Sequence, residues 1–260
     1  FQDDNITHVS GKVDPLDDVE TINLELIFAD LESIEKRYTR ISKIARTKDK
    51  DAVRELEILE KIKTTLEEGK SARTIEFTPE EEPLVKSLFL LTTKPVLYVA
   101  NISEEDVIAG GDNEMVQAVR EFAATEGAEV VTVCARIEEE VAELDDEEKA
   151  EFLAELGIKE SGLDQLIRKA YTLLGLGTYF TAGEKEVRAW TFRLGMKAPQ
   201  TAGIIHTDFE RGFIRAETVS YDDLLAYGSM QAAKEAGKVR LEGKDYVVQD
   251  GDVMEFRFNV

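Results

Sequence analysis

The chain has one cysteine, Cys134, so no disulfide can form within it, and the composition suits a reducing compartment. It has no apolar run near the roughly 18 residues that a membrane span requires, and no signal peptide is visible. The default expectation is a cytoplasmic protein without membrane contact. Basic charge is scarce: 32 Lys and Arg stand against 54 Asp and Glu, a net charge of −22. That balance argues against non-specific binding to polyanions by the chain as a whole and gives no sign of DNA specificity. A starting Met is also lacking, and the opening at Phe1 points to an N-terminal piece that has been left out.

A phosphate-binding Gly-rich loop is missing as well. Gly69-Lys70-Ser71 has the right ending, but Thr64 stands where the pattern needs Gly, and a helix rather than a strand leads into it. Gly69 is better read as a helix stop. The stretches from Gly177 to Lys185 and from Gly237 to Lys244 have the wrong spacing, and Asp245 follows the second lysine. Histidines number two. His206 lies beside Asp208 and Arg211 with no nucleophile in company, which leaves a structural hydrogen bond or a partner contact as its role. His8 sits in a polar N-terminal loop.

What the chain does have is the stretch Lys94-Pro-Val-Leu-Tyr-Val-Ala-Asn101-Ile-Ser-Glu104. Val96 to Ala100 are apolar without alternation, which predicts a central parallel strand covered on both faces. Ligands of open α/β sheets sit outside the carboxyl ends of the strands, so the polar group beginning at Asn101 is a candidate for reading a small molecule. The alternative is an ordinary strand end followed by a capped helix.

Before it, Asp17 and Asp18 open a helix, their charge suiting its positive end. Leu31, Ile34, Tyr38, Ile41 and Ala45 then recur at steps of three and four. Ala52, Leu56, Leu59 and Leu66 repeat the habit after the polar break at 47–51. Two such seams joined by a short turn predict an antiparallel helical hairpin. Around its tip Arg40, Lys43, Arg46, Lys48 and Lys50 stand against Asp49 alone, in a chain that is otherwise acidic. A solvated helix face is one reading, and a basic tip that meets RNA or an acidic partner is the other.

After the strand, Gly110-Gly111 precedes a helix bearing Met115, Val116, Val119, Phe122 and Ala123, and 129–135 reads as a second buried strand. Residues 95–135 thus form one βαβ unit, with Cys134 and Ala135 beside Asn101 if the strands are neighbours. Residues 137–156 read as one acidic helix with Val141, Leu144, Phe152 and Leu156 toward the core. The run 145–148 is solvated rather than a metal site, because metal carboxylates converge from separate elements. A border follows at 175–177. Beyond it lie a strand at 186–192, a helix around 199–205 and an alternating run of Met254, Phe256, Phe258 and Val260. These predict a small α+β module of about 85 residues.

Three segments carry a family resemblance: Phe1-Gln-Asp-Asp-Asn-Ile-Thr-His-Val-Ser-Gly-Lys-Val-Asp-Pro-Leu-Asp-Asp18, the Lys94 to Glu104 stretch, and Ile204-Ile-His-Thr-Asp-Phe-Glu-Arg-Gly-Phe-Ile214. In that order they closely resemble the YchF, or Obg-like ATPase, subfamily of translation-factor P-loop NTPases. The resemblance implies an α/β fold: the C-terminal half of a P-loop NTPase parallel sheet, interrupted by a helical coiled-coil insertion and followed by a ubiquitin-like β-grasp module, the TGS domain. The implied divisions are 1–32 and 83–175 for the nucleotide-binding domain, 33–82 for the hairpin and 176–260 for the TGS domain.

The family's phosphate loop, magnesium-binding threonine and switch segments would precede Phe1, so no residue here is assigned a catalytic role and this chain alone is not expected to hydrolyse nucleotide. The cofactors implied are ATP and Mg²⁺, the metal's ligands lying outside this chain. Related GTPases read guanine with Asn-Lys-x-Asp, and here the corresponding residues are Asn101, Ile102, Ser103 and Glu104. The longer, displaced carboxylate and the lost lysine predict ATP over GTP, with Asn101 at the purine edge, Ile102 against it, and Cys134 and Ala135 in the adjoining loop. Trp190, Phe192, Phe256 and Phe258 are expected in the core. The implied partner is the ribosome or RNA, met through the hairpin tip, His206 and Arg211. The competing readings are a non-enzymatic RNA- or protein-binding adaptor and a true GTPase of the same superfamily.

Overall fold

The computed structural model describes Phe1, residues 11–183 and residues 186–259, so His8 and half of the first family-like segment lie outside the described residues. Contacts divide the chain into two units, Phe1–Ile167 and Arg168–Val260.

In the first unit, α1 (Pro15–Ala45) begins two residues earlier than the acidic pair predicts, because Asp14 caps it and Pro15 supplies a preset φ in its first turn. The helix therefore runs without interruption through position 32. After a turn in which Lys48 takes a φ of 63°, Asp49 caps α2 (Lys50–Glu67) by accepting from the Ala52 amide at 2.8 Å. Gly69, at φ 75°, follows the end of α2 in the left-handed conformation that suits glycine. The two helices bury Ile34 and Ile41 against Leu59 and Leu66, as the heptad-like spacing requires, together with Ile27, Ile58 and Ile62.

A polar pin lies beside this apolar seam. Asp30, 3% exposed, accepts from the Leu91 amide at 2.9 Å and from both the amide and hydroxyl of Thr92 at 2.7 Å. The Thr92 hydroxyl accepts in turn from the Ala72 amide. The chain reaches that point through a 3-10 turn at Ala72–Thr74 and the short α3 (Glu82–Ser87).

Strand β1 (Leu97–Asn101) pairs in parallel with β2 (Glu129–Val133), Leu97 opposite Glu129 and Asn101 opposite Val133. Between them run α4 (Glu104–Ile108) and α5 (Glu114–Thr125). The βαβ unit is as expected, but β1 is not covered on both faces: among the described residues the sheet has two strands, and Val99 is 50% exposed. The acidic helix expected over 137–156 is two helices, α6 (Ala135–Ala142) and α7 (Asp146–Glu155). Asp145 breaks it by accepting from the Glu147 and Glu148 amides, starting a new helix where a continuous one was expected. Helix α8 (Gly162–Leu173) crosses the boundary between the units.

The second unit holds β3 (Leu176–Ala182), β4 (Val187–Arg193), α9 (Ala198–Ile205), α10 (Thr207–Arg211), β5 (Phe213–Ser220), α11 (Tyr221–Tyr227), α12 (Met230–Glu235), β6 (Arg240–Glu242) and β7 (Asp252–Phe258). Its sheet has the order β4-β3-β7-β5-β6, with β3 and β7 parallel and the other neighbours antiparallel. Tyr179, Phe192, Phe213 and Met254 are buried, packing with Ala198 and Ala202 of α9. Burial pushes the Tyr179 phenol well above its ordinary range, and its hydroxyl donates to the Thr201 carbonyl at 2.8 Å. Phe192 meets the core expectation fully. Trp190 and Phe256 are half-buried, while Phe258 is 38% exposed and stacks on Phe209 with ring centres 3.9 Å apart.

Candidate functional site

A cavity of about 920 Å³ opens at the carboxyl ends of β1 and β2, walled by residues 101–106 on one side and 134–136 on the other. Parallel pairing puts both strand ends at one rim, which is why residues 33 positions apart in sequence meet there. Asn101 Oδ1 accepts from the Ala135 amide at 3.1 Å, joining the two loops. Its own amide group has no partner among the described residues and remains available as a donor. The Ile102 amide donates to the Val133 carbonyl at 2.9 Å and extends the ladder one step beyond β1.

The loop then turns immediately into a helix. Ser103 is the cap of α4: its hydroxyl accepts from the Asp106 amide at 3.1 Å and donates to the Asp106 carboxylate at 2.8 Å. The Ser103 hydrogen bond holds the Asp106 carboxyl below its ordinary range. Glu104 is not the cap. It occupies the first helical turn, where its charge is favourable, and its carboxylate pairs with Arg136 Nε at 2.9 Å.

Sequence reasoning thus finds Asn101, Ile102, Glu104, Cys134 and Ala135 at one place, and the structure brings all five to the rim of this cavity. One detail differs from expectation. Ile102 is 4% exposed and packs with Val116, Cys134, Ile137 and Val141, so little of its side chain is left to lie against a ligand. Cys134, 5% exposed, belongs to the same cluster. Sequence reasoning missed Arg136, whose pairing depends on α6 starting directly after β2, and Asn113, which caps α5 and also lines the cavity.

The lining is acidic, with Glu104, Glu105, Asp106, Glu114 and Glu139 against the single Arg136. A neutral heterocycle with acceptor atoms suits Asn101 and the loop backbone, whereas a polyphosphate would meet net repulsion from these residues. No group of three potential metal ligands occurs among the described residues. The residues present therefore fit a purine base and do not fit a triphosphate with its metal ion.

The expected partner residues are elsewhere. Arg40, Lys43, Arg46, Lys48 and Lys50 are all exposed at the far end of the helical pair, and none has an ion pair among the described residues. Farther from the tip, Arg37 pairs with Glu55 and Lys36 with Glu32. In the second unit, His206 Nδ1 accepts from the Asp208 amide at 3.1 Å and so caps α10, the structural hydrogen bond expected of it; its side chain is exposed. Arg211 is exposed in the last turn of the same helix.

Comparison with known proteins agrees with the three segments. The family profile YchF-GTPase_C, described as a protein of unknown function (DUF933), matches residues 176–259. The Bacillus subtilis protein called ribosome-binding ATPase YchF is 70% identical over all 260 residues, which span 71% of its length. The Escherichia coli O157:H7 protein of the same name is 54% identical over the same span. Among solved structures, the Schizosaccharomyces pombe YchF GTPase superposes with a TM-score of 0.86 at 36% identity, covering 98% of this chain and 69% of that one. A GTP-binding protein from Pyrococcus horikoshii, at a TM-score of 0.56 and 16% identity, shares the fold alone. Matched along all 260 residues by sequence and along 98% of them by structure, the chain belongs to the YchF family.

Proposed function

We propose that this chain is the base-reading and partner-binding part of a ribosome-associated, cytoplasmic regulatory ATPase. The observation that carries the proposal is the cavity at the ends of β1 and β2, where Asn101 and the 134–136 loop offer a site for a purine while the described residues supply no cradle for phosphates. The relatives' printed names support ATPase activity and ribosome binding for those proteins. In this reading hydrolysis requires an N-terminal phosphate-binding half with its Mg²⁺, and the 260 residues alone do not hydrolyse ATP.

ATP is preferred over GTP. Guanine presents two donors, N1–H and its amino group, that call for a free carboxylate, and the carboxylate at the position corresponding to the acid of the guanine-reading signature, Glu104, is held by Arg136. The Asn101 amide donates to an acceptor nitrogen of the ring. The relative from Schizosaccharomyces pombe is called a GTPase, so the preference has to be measured rather than inherited.

The remaining parts take up partner binding. The paired helices α1 and α2 act as the coiled-coil insertion, with the unpaired cations of the tip meeting ribosomal RNA. The sheet order of the second unit is that of a ubiquitin-like β-grasp, which supports its assignment as a TGS domain contributing His206 and Arg211 to the same partner. Adenosine titrated into the isotope-labelled chain should shift the amide signals of Ile102, Ser103 and Ala135 and leave those of the second unit unmoved. Shifts confined to the second unit would refute the assignment.

A further inference from the structure

We propose that the outer edge of β4 is a docking site for an extended acidic peptide, which adds to the sheet of the second unit as a sixth strand. In the order β4-β3-β7-β5-β6 the two edges are unequal: β6 has three residues and β4 has seven. Strand β4 contains neither Pro nor Gly, and its register with β3 is unbroken from Leu176 opposite Arg193 to Ala182 opposite Val187.

The phase of the ladder identifies the free groups. The Leu194 amide donates to the Gly175 carbonyl at 2.8 Å, and at the other end the Gly183 amide donates to the Glu186 carbonyl at 2.9 Å. Antiparallel pairs alternate between bonded and non-bonded, so 188, 190 and 192 exchange hydrogen bonds with β3. The N–H and C=O groups of Val187, Ala189, Thr191 and Arg193 therefore point away from the sheet. Among the described residues the Met196 amide donates to the Arg193 carbonyl at 3.1 Å, nothing bonds to the Arg193 N–H or to the N–H and C=O groups of the other three, and all four residues are exposed. The Tyr171 hydroxyl touches only the Thr191 side chain, at 3.1 Å, and leaves its backbone free.

Exposed edges are ordinarily blunted by prolines, bulges or short strands. This one has none of these devices, and its charges are all of one sign. Arg193 has no ion pair among the described residues, and Arg188 lies 4.1 Å over the Trp190 ring, with Glu186 3.9 Å away, just outside the strand. Two guanidinium groups flanking a row of free backbone groups suit an acidic strand, with main-chain hydrogen bonds giving affinity and the arginines giving selectivity. A second copy of this chain is the poorer occupant. Self-pairing would crowd two sets of Arg188 and Arg193 along one seam.

The test uses the whole chain and an acetylated, amidated octapeptide, Asp-Glu-Ile-Val-Ile-Val-Asp-Glu, with a control carrying Pro at both central positions. The first peptide should bind saturably and slow amide exchange at Val187, Ala189, Thr191 and Arg193, and the control should not. The double variant R188E/R193E should weaken binding tenfold or more. Ala189→Pro, which removes an outward N–H without touching the ladder, should abolish it; if that variant does not fold, the charge reversal on exposed side chains decides. Absence of saturation with those four amides unprotected would overturn the proposal. Protection that follows chain concentration and ignores peptide would also overturn it, in favour of self-association.

Discussion

The two units differ in how each completes its structure. Residues 168–260 contain 13 basic and 13 acidic residues, so the whole net charge of −22 belongs to residues 1–167. The neutral unit closes a five-stranded sheet over a larger and a smaller buried cluster. The acidic unit gathers its largest core around the paired helices and carries its cavity on a two-stranded parallel sheet whose Val99 is half exposed. Parallel sheets are ordinarily covered on both faces, so this difference places packing strength in the second unit and in the hairpin, and the cavity on the sheet with the fewest strands among the described residues.

The comparison can be broken at its strongest point first. Phe192→Ala should cost the second unit about 3–5 kcal/mol, because it empties a site that is 1% exposed. Denaturant unfolding followed at Trp190 would show that loss, and adenosine-dependent shifts in the first unit should persist. Next, Asp30→Ala strands three donors at 2.7–2.9 Å and should cost the first unit about 3 kcal/mol, with the second unit's transition unmoved.

A pH dependence distinguishes the units further. Burial, and then a hydrogen bond to Asp252, raise the Tyr246 phenol to about 12 from 10.0. The unfolded phenol loses its proton first as pH rises, so this contribution to stability is complete below pH 10 and is lost between 10 and about 12. Phenolate absorbance and unfolding measured together should show the second unit weakening in that window, and Tyr246→Phe should reduce the effect to what the buried Tyr179 phenol contributes. The smallest change in stability belongs to the tip. Reversing Arg40, Lys43, Arg46 and Lys48 should shift it within about 0.5 kcal/mol, since no ion pair is broken. Salt-sensitive co-sedimentation with ribosomes should nevertheless fall several-fold, and survival of that binding would remove the tip from the account.

What the sequence made legible follows from where the physics is local. The hairpin could be read because Ile34, Ile41, Leu59 and Leu66 repeat at helical spacing, and the site's first strand because an unbroken apolar run ends at Asn101. Strand β3 was not distinguished, because Leu176-Gly-Thr-Tyr-Phe-Thr-Ala mixes small and polar residues and its identity comes from its neighbours β4 and β7. Capping decided the errors at helix ends: Asp14 and Asp145 each moved a boundary that charge and periodicity placed elsewhere. The Glu104–Arg136 pair was invisible in sequence, since it depends on two loops meeting across a parallel ladder. The burial of Ile102 depends on α5 and α6 closing over it.

The central claim is that the Asn101 to Glu104 loop reads a purine and favours adenine. A calorimetric competition between ATP and GTP, on a protein that carries the proposed N-terminal phosphate-binding part, tests that claim most directly. The account predicts that ATP binds at least tenfold more tightly, and that Arg136→Ala, by freeing Glu104, narrows the gap. Tenfold tighter binding of GTP would contradict it.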